Sequence, residues 1–280
     1  MAQRDLGTYA RNTWCPGCGN FAILTAIKAV LKILEEEGFP LENVVLVSGI
    51  GCHAKIVDYI NVNSFYSIHG RTLPVAEGIR IANPDLKVIC FAGDGDAYGE
   101  GLEHLVFAAK RNIDITMIIH NNRVYGLTTG QYTPTSPLGF KGRSTPYGTI
   151  EFPLNPLELM LASGATFIAR CFSHGLELLK NILKEAIMHK GFSIVDVLQV
   201  CVTFYNMYEY YDQRAYELQD HNPQDYNEAL NKIREWDYNT DARIALGLLY
   251  KKTKSTFEEE FLKPQTENVD RESRIRQLLR

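Results

Sequence analysis

Six short apolar runs, rich in β-branched residues, constrain this chain more than any other feature of its sequence. They are VVLV (Val44–Val47), SFYSI (Ser64–Ile68), VICFA (Val88–Ala92), ITMIIH (Ile115–His120), TFIA (Thr166–Ala169) and SIVDVLQV (Ser193–Val200). Such runs read as strands buried on both faces. Between them, Phe21–Glu37, Glu100–Lys110 and Leu176–His189 carry apolar residues at helical spacing, and Pro74–Ala82 reads as a shorter helix stopped by Asn83-Pro84. The alternation predicts an α/β domain with a mostly parallel sheet flanked by helices, covering residues 1–205.

From about Asn206 the character changes. NMYEYYDQRAYELQDHNPQDYNEAL is rich in tyrosine and acid, IALGLLY (244–250) is a last apolar run, and 251–280 is highly charged. Residues 206–280 are expected to form a helical extension or an arm that packs on a partner chain. The net charge of −4 offers no broad basic field for nucleic acid or an anionic membrane. No apolar run reaches the roughly 18 residues that span a bilayer. The first residues, MAQRDLGTYARNTW, lack the apolar core of a signal peptide, so a cytoplasmic location is expected. There, the six cysteines are expected to be free or metal-bound rather than paired.

The segments just after the strand-like runs are chemically rich. VVLV leads into Ser48-Gly49-Ile50-Gly51-Cys52-His53, SFYSI into His69-Gly70-Arg71, and VICFA into Gly93-Asp94-Gly95-Asp96. ITMIIH leads into Asn121-Asn122, and SIVDVLQV into Cys201. Open parallel sheets bind ligands outside the carboxyl ends of their strands, so these segments should converge on one rim.

Residues 96–120 hold one helix and one strand, a single βαβ crossover that places Asp94 beside Asn122 at neighbouring strand ends. Both offer hard oxygen ligands suited to Mg²⁺, which usually shares its coordination sphere with phosphate oxygens. The glycines let the backbone approach a diphosphate closely. Gly-Asp-Gly followed by Asn-Asn at this distance resembles the thiamine-diphosphate fingerprint. That resemblance makes Asp94, the Asn122 side chain and the Val124 carbonyl magnesium ligands. No P-loop motif is present, and no Gly-x-Gly-x-x-Gly opens a helix after a strand.

Cys15 and Cys18 form a Cys-x-x-Cys clip near the start of the chain, Cys52 sits in a glycine turn, and Cys201 follows a strand-like run. Four thiolates near a cofactor suit either tetrahedral zinc or a four-iron four-sulfur cluster. Cys90 and Cys171 read as core residues.

TWCPGCGNF, GIGCHAK, IHGRTLPVAEGIRIANPDL, GDGDAYGEGLEHLVFAAKRNIDIT, NNRVYGLTTGQ, TPYGTIEFPLNPLELMLASGATFIAR and DVLQVCVTF occur in that order. Over residues 12–205 the chain resembles the β subunit of a 2-oxoacid:ferredoxin oxidoreductase. The resemblance implies the thiamine-diphosphate-binding fold with an N-terminal cluster-binding segment. It also implies one four-iron four-sulfur cluster on Cys15, Cys18, Cys52 and Cys201. The cofactor would be contacted by Ile50, Gly51, Cys52, His53, His69, Gly93, Asp94, Gly95, Asp96, Asn122, Val124, Gly126, Leu127 and Thr128. Lys55, His69 and Leu127 would face the substrate. Two positions near the reacting centre depart from the family: His53, where a small residue is common, and Thr129, where glycine or lysine is frequent.

The implied activity is oxidative decarboxylation of a 2-oxoacid to the acyl-CoA and CO₂, with electrons passing through the cluster to ferredoxin. SPLGFKGRSTPYG resembles the 2-oxoglutarate branch; pyruvate or a broad substrate range is the alternative. The family's site also uses a pyrimidine-binding domain, for which 280 residues leave no room beside this one, so an α-subunit partner is expected. Two other readings are a non-redox thiamine-diphosphate decarboxylase with structural zinc and a metal-stapled scaffold that only binds a partner. Asp94 and Asn122 argue against the scaffold.

Overall fold

The computed structural model describes residues 5–262 and 271–279. Its centre is one sheet of β1 (Val44–Ser48), β2 (Asn63–Tyr66), β3 (Lys87–Gly93), β4 (Ile115–Asn121), β5 (Phe167–Phe172), β6 (Ser193–Leu198), β7 (Ala215–Glu217) and β8 (Ile244–Lys251). The order across the sheet is β2-β1-β3-β4-β6-β5-β8-β7. Strands β1 to β6 pair in parallel, with Leu46 opposite Ile89 and Gly93 opposite His120. Their carboxyl ends therefore share one rim, as the alternation of runs and helices predicts.

Helices cover both faces. α1 (Asn20–Glu36) and α5 (Leu176–Met188) bury Ile23, Ile27, Leu179 and Leu183 on one side. On the other, α2 (Thr72–Ala82), α3 (Leu102–Arg111), α4 (Pro156–Ser163) and α7 (Tyr226–Arg234) bury Leu73, Leu105, Leu157 and Ile233. α4 starts cleanly because the Asn155 side chain accepts from the Glu158 N–H and Pro156 opens the first turn. Cys90 and Cys171 are buried within β3 and β5.

Two sequence expectations need correction. β2 is not buried on both faces: all four of its residues are exposed, because it ends the sheet and pairs only with β1. The stretch after Asn206 is not merely a helical extension. Beside α6 (Tyr208–Arg214) and α7 it contributes β8, antiparallel to β5, and β7, parallel to β8. IALGLLY is apolar enough to fill a covered place in the sheet, and most of β8 is buried. The sheet therefore continues across residue 205. α8 (Phe257–Leu262) and α9 (Arg271–Leu278) follow. No helix among the described residues is long and apolar enough to cross a membrane.

Candidate active site

After β1 the chain turns through Gly49-Ile50-Gly51 into a 3₁₀ helix, His53–Tyr59. A Cβ at Gly49 would lie 1.9 Å from Asp96 Oδ2, so only glycine lets the turn approach that carboxylate. Asp96 is buried and heavily bonded. His53 Nε2 lies 3.1 Å from Oδ2, His69 Nδ1 lies 3.0 Å from Oδ1, and the Gly70 N–H donates to Oδ1 at 2.6 Å. Burial alone would raise the Asp96 pKa, but the His53 and His69 bonds outweigh it and hold the acid at about 2. The same bond to Asp96 raises the His69 pKa. His69 Nδ1 also sits 3.1 Å from the Ile50 carbonyl, which tethers the ring to the first turn.

Asp94 and Asn122 meet where β3 and β4 end side by side. Asp94 is 1% exposed and accepts from Thr135 Oγ1 at 2.8 Å. Burial raises its pKa against the pull of the Thr133 and Thr135 hydroxyls. Among the described residues no lysine, arginine or histidine forms an ion pair with it, so a bound cation would satisfy the buried carboxylate. Asn122 Oδ1 accepts from the Val124 N–H at 3.0 Å, which holds the turn that presents the Val124 carbonyl. Arg123 between them adopts φ 62°, and its guanidinium is buried, donating to the Thr135 carbonyl at 2.7 Å. Behind the turn, Asn121 Nδ2 donates to the buried Asp196 at 3.2 Å, and the Tyr238 hydroxyl donates to the same oxygen at 2.5 Å.

These segments enclose a cavity of about 160 Å³. All fourteen cofactor-contacting residues named from the sequence line it, together with Tyr125. Of the three substrate-facing candidates, His69 and Leu127 are on this wall and Lys55 is not. Lys55 faces an adjoining cavity, where Nζ donates to Thr13 Oγ1 at 2.9 Å.

That second cavity is lined by Cys15, Cys18, Cys52 and Cys201. The clip reaches it because Gly19 N–H donates to the Val200 carbonyl at 3.1 Å, docking the start of α1 on the chain leaving β6. A Cβ at Gly126 would lie 3.6 Å from Cys201 Sγ and 3.7 Å from Cys52 Sγ, so the bare glycine keeps the space beside both sulfurs open. Burial pushes the Cys18 thiol up to about 12 and raises that of Cys52, on which Lys55 acts in the opposite sense. Among the described residues no three His, Cys, Asp or Glu side chains converge closely enough to hold one metal ion. The four thiols line a hollow instead of meeting at a point.

Tyr125, Thr135 and Gln199 escape the sequence reading. Gln199 lies inside the apolar run Ser193–Val200, and only the folded chain ends β6 at Leu198 and brings the Gln199 amide to Asn122 and Cys18. Thr135 comes from a long loop without periodicity, and only the folded chain brings it to Asp94.

A parallel sheet that gathers a Gly-Asp-Gly acid, an Asn-Asn turn and paired histidines over one cavity has the form of a thiamine-diphosphate-binding domain. Residues 49–197 match the family model of the thiamine pyrophosphate enzyme C-terminal TPP-binding domain. Residues 201–265 match that of the C-terminal region of the pyruvate ferredoxin oxidoreductase beta subunit. The chain is 43% identical over 277 residues to 2-oxoacid:ferredoxin oxidoreductase 1, subunit beta, of Aeropyrum pernix, covering 92% of this chain and 85% of the relative. It is 44% identical over 191 residues to the 2-oxoglutarate oxidoreductase subunit KorB of Mycobacterium tuberculosis, covering 68% of this chain and 50% of that one. A solved 2-oxoglutarate:ferredoxin oxidoreductase from Magnetococcus marinus, with 2-oxoglutarate, coenzyme A and succinyl-CoA bound, superposes with a TM-score of 0.91. That match is at 32% identity and covers 98% of this chain and 95% of the other. The chain belongs to the family of 2-oxoacid:ferredoxin oxidoreductase β subunits.

Proposed function

We propose that this chain, assembled with an α subunit, oxidatively decarboxylates 2-oxoglutarate to its acyl-CoA and CO₂ and passes the electrons through a four-iron four-sulfur cluster to ferredoxin. One observation carries the reading: Cys52, Asn122 and Gly126 line both cavities, so the carboxylate–amide pocket and the four thiols share a wall. A decarboxylating centre and an electron acceptor in these positions would be neighbours.

Asp94, the Asn122 side chain and the Val124 carbonyl would hold Mg²⁺, and Ile50, Gly51 and Gly93–Gly95 line the cavity that a diphosphate would enter. Cys15, Cys18, Cys52 and Cys201 would hold the cluster. When bound, thiamine diphosphate supplies the electron sink for decarboxylation, and the cluster accepts electrons one at a time. The chain's own residues orient and protonate. Asp96 fixes the rings of His53 and His69 and favours the protonated form of His69. The Nδ1 of His69 is tethered, which leaves Nε2 for a ligand in the cavity. Lys55 lies beside Cys52 and is placed to attract a substrate carboxylate entering between the two cavities. Ile50 and Leu127 are exposed on the cavity wall, and Ile68 is exposed just before His69. This apolar margin is the surface we assign to the α subunit. Free thiols suit a reducing compartment such as the cytoplasm. The relatives named for 2-oxoglutarate support that substrate.

The test is anaerobic co-purification with the α subunit, iron and zinc analysis, and an assay of coenzyme A-dependent ferredoxin reduction with pyruvate, 2-oxobutyrate and 2-oxoglutarate. The expected result is an iron-loaded complex that prefers 2-oxoglutarate. A colourless zinc protein overturns the redox reading, a preference for pyruvate overturns the substrate, and robust turnover by this chain alone overturns the partner.

A further inference from the structure

Gln199 joins the two cavities through one side chain. It follows β6 directly, is 1% exposed, and its backbone N–H donates to the Asn121 carbonyl at 3.0 Å. Its amide is engaged at both ends. Oε1 accepts from Asn122 Nδ2 at 3.0 Å, while Nε2 donates to the Val200 carbonyl at 2.6 Å and lies 3.5 Å from Cys18 Sγ. An amide nitrogen has two hydrogens and an amide oxygen accepts, so this set of partners fits only one orientation of the group. Gly19 makes the contact possible, since a Cβ there would lie 2.8 Å from the Val200 nitrogen and 3.1 Å from Gln199 Cγ.

The contact to Asn122 has a directional consequence. With Nδ2 committed to Gln199, Asn122 turns Oδ1 toward the Val124 N–H, and Oδ1 is the atom a hard cation would require. The contact to Cys18 has an electrostatic one. An N–H aimed at a sulfur stabilises negative charge there, and it does so more in the reduced state of any redox group the sulfur holds.

We infer that Gln199 is a positioning residue for both cofactors, fixing Asn122 for the metal and supplying an N–H donor to Cys18 that raises the potential of the cluster. This rests on the proposed function. The experiment uses the complex with its α subunit, purified anaerobically, carrying Gln199→Met or Gln199→Glu. Iron content, an EPR-monitored redox titration and a Mg²⁺ titration of thiamine diphosphate binding are read for each. Gln199→Met removes both interactions, so the midpoint potential should fall and Mg²⁺ affinity should weaken about tenfold, the scale of a lost outer-sphere contact. Gln199→Glu keeps an acceptor for Asn122 but loses the donor, so the potential should fall while Mg²⁺ affinity stays near wild type. Iron-loaded variants with wild-type potential and affinity would overturn the inference and leave the proposed function standing, even if thermal stability fell. A wild-type complex without an iron–sulfur signal would overturn the proposed function and the inference with it.

Discussion

Tyr125 closes over Gly95, its hydroxyl donating to the Gly95 carbonyl at 3.1 Å. A Cβ at Gly95 would lie 2.2 Å from a Tyr125 ring carbon, so the Gly-Asp-Gly turn and the tyrosine fit only while position 95 has no side chain. Gly95→Ala is expected to push the ring into the cavity and weaken binding of thiamine diphosphate with Mg²⁺ by roughly tenfold. Fluorescence titration of the assembled complex measures it. If the clash is the cause, the double variant Gly95→Ala/Tyr125→Ala should behave like Tyr125→Ala alone. Additive losses would show that Gly95 matters for its backbone, not for the space it leaves.

This pair marks the boundary of what is legible in the sequence. Gly95 is legible because a strand, an acid and two glycines announce a ligand-binding turn. Tyr125 is not, because nothing local distinguishes a tyrosine that will fold back over a turn thirty residues earlier in the chain from one that packs elsewhere. The rim residues are readable because a parallel sheet fixes where its strand ends go, and the cysteines because Cys52 and Cys201 sit at those ends. Lys55 shows a further limit: its place just after Cys52 is plain, but which cavity it faces depends on Thr13, far away in sequence. β8 is visible as an apolar run but not as a strand, because what makes it one is the open edge of β5.

Lys55 is expected to act on Cys52 even before any metal is bound. It lines the thiol cavity and its charge favours the Cys52 thiolate, opposing the larger effect of burial. The thiolate is the form that reacts with alkylating agents. In metal-free protein, Lys55→Met should therefore slow iodoacetamide labelling of Cys52 several-fold at neutral pH, while Lys55→Arg should preserve it. Peptide mass analysis separates Cys52 from the other thiols. Equal labelling in wild type and Lys55→Met would place the ammonium too far away to matter.

The charged C-terminal region is anchored by a buried network. Arg80 Nε donates to Glu258 Oε1 at 2.7 Å and Arg80 Nη2 to Asp114 Oδ2 at 2.8 Å; Lys87 Nζ lies 3.2 Å from Asp114. Glu258 also accepts from the Asp114 N–H at 3.2 Å. Removing one partner of a buried charge pair leaves the other uncompensated, which costs about 3–5 kcal/mol. Arg80 keeps Asp114 and the carbonyls of Pro84 and Leu86, so Glu258→Ala should fall at the low end, about 3 kcal/mol. Urea unfolding followed by tryptophan fluorescence measures it. A loss below about 1 kcal/mol, the worth of an exposed pair, would show that α8 is only a surface appendage.

His189 should make stability depend on pH. Its Nε2 lies 2.9 Å from Thr166 Oγ1, whose own hydroxyl donates to Asn112 Oδ1 at 2.6 Å, so the ring must donate to Thr166. Burial disfavours the charged ring, Lys251 adds to the effect, and the pKa falls to about 4. An unfolded histidine titrates near ~6.5. Between these values the unfolded chain binds a proton that the folded chain refuses, so acid favours unfolding. The contribution is fully present above ~6.5 and is lost as pH falls toward the folded value. The urea midpoint should therefore drop on going from neutral pH to about pH 5, above the range where most carboxylates titrate. His189→Gln keeps a donor for Thr166 but cannot titrate, so its midpoint should fall less over the same interval. Parallel curves for wild type and variant would mean that His189 takes up its proton without unfolding.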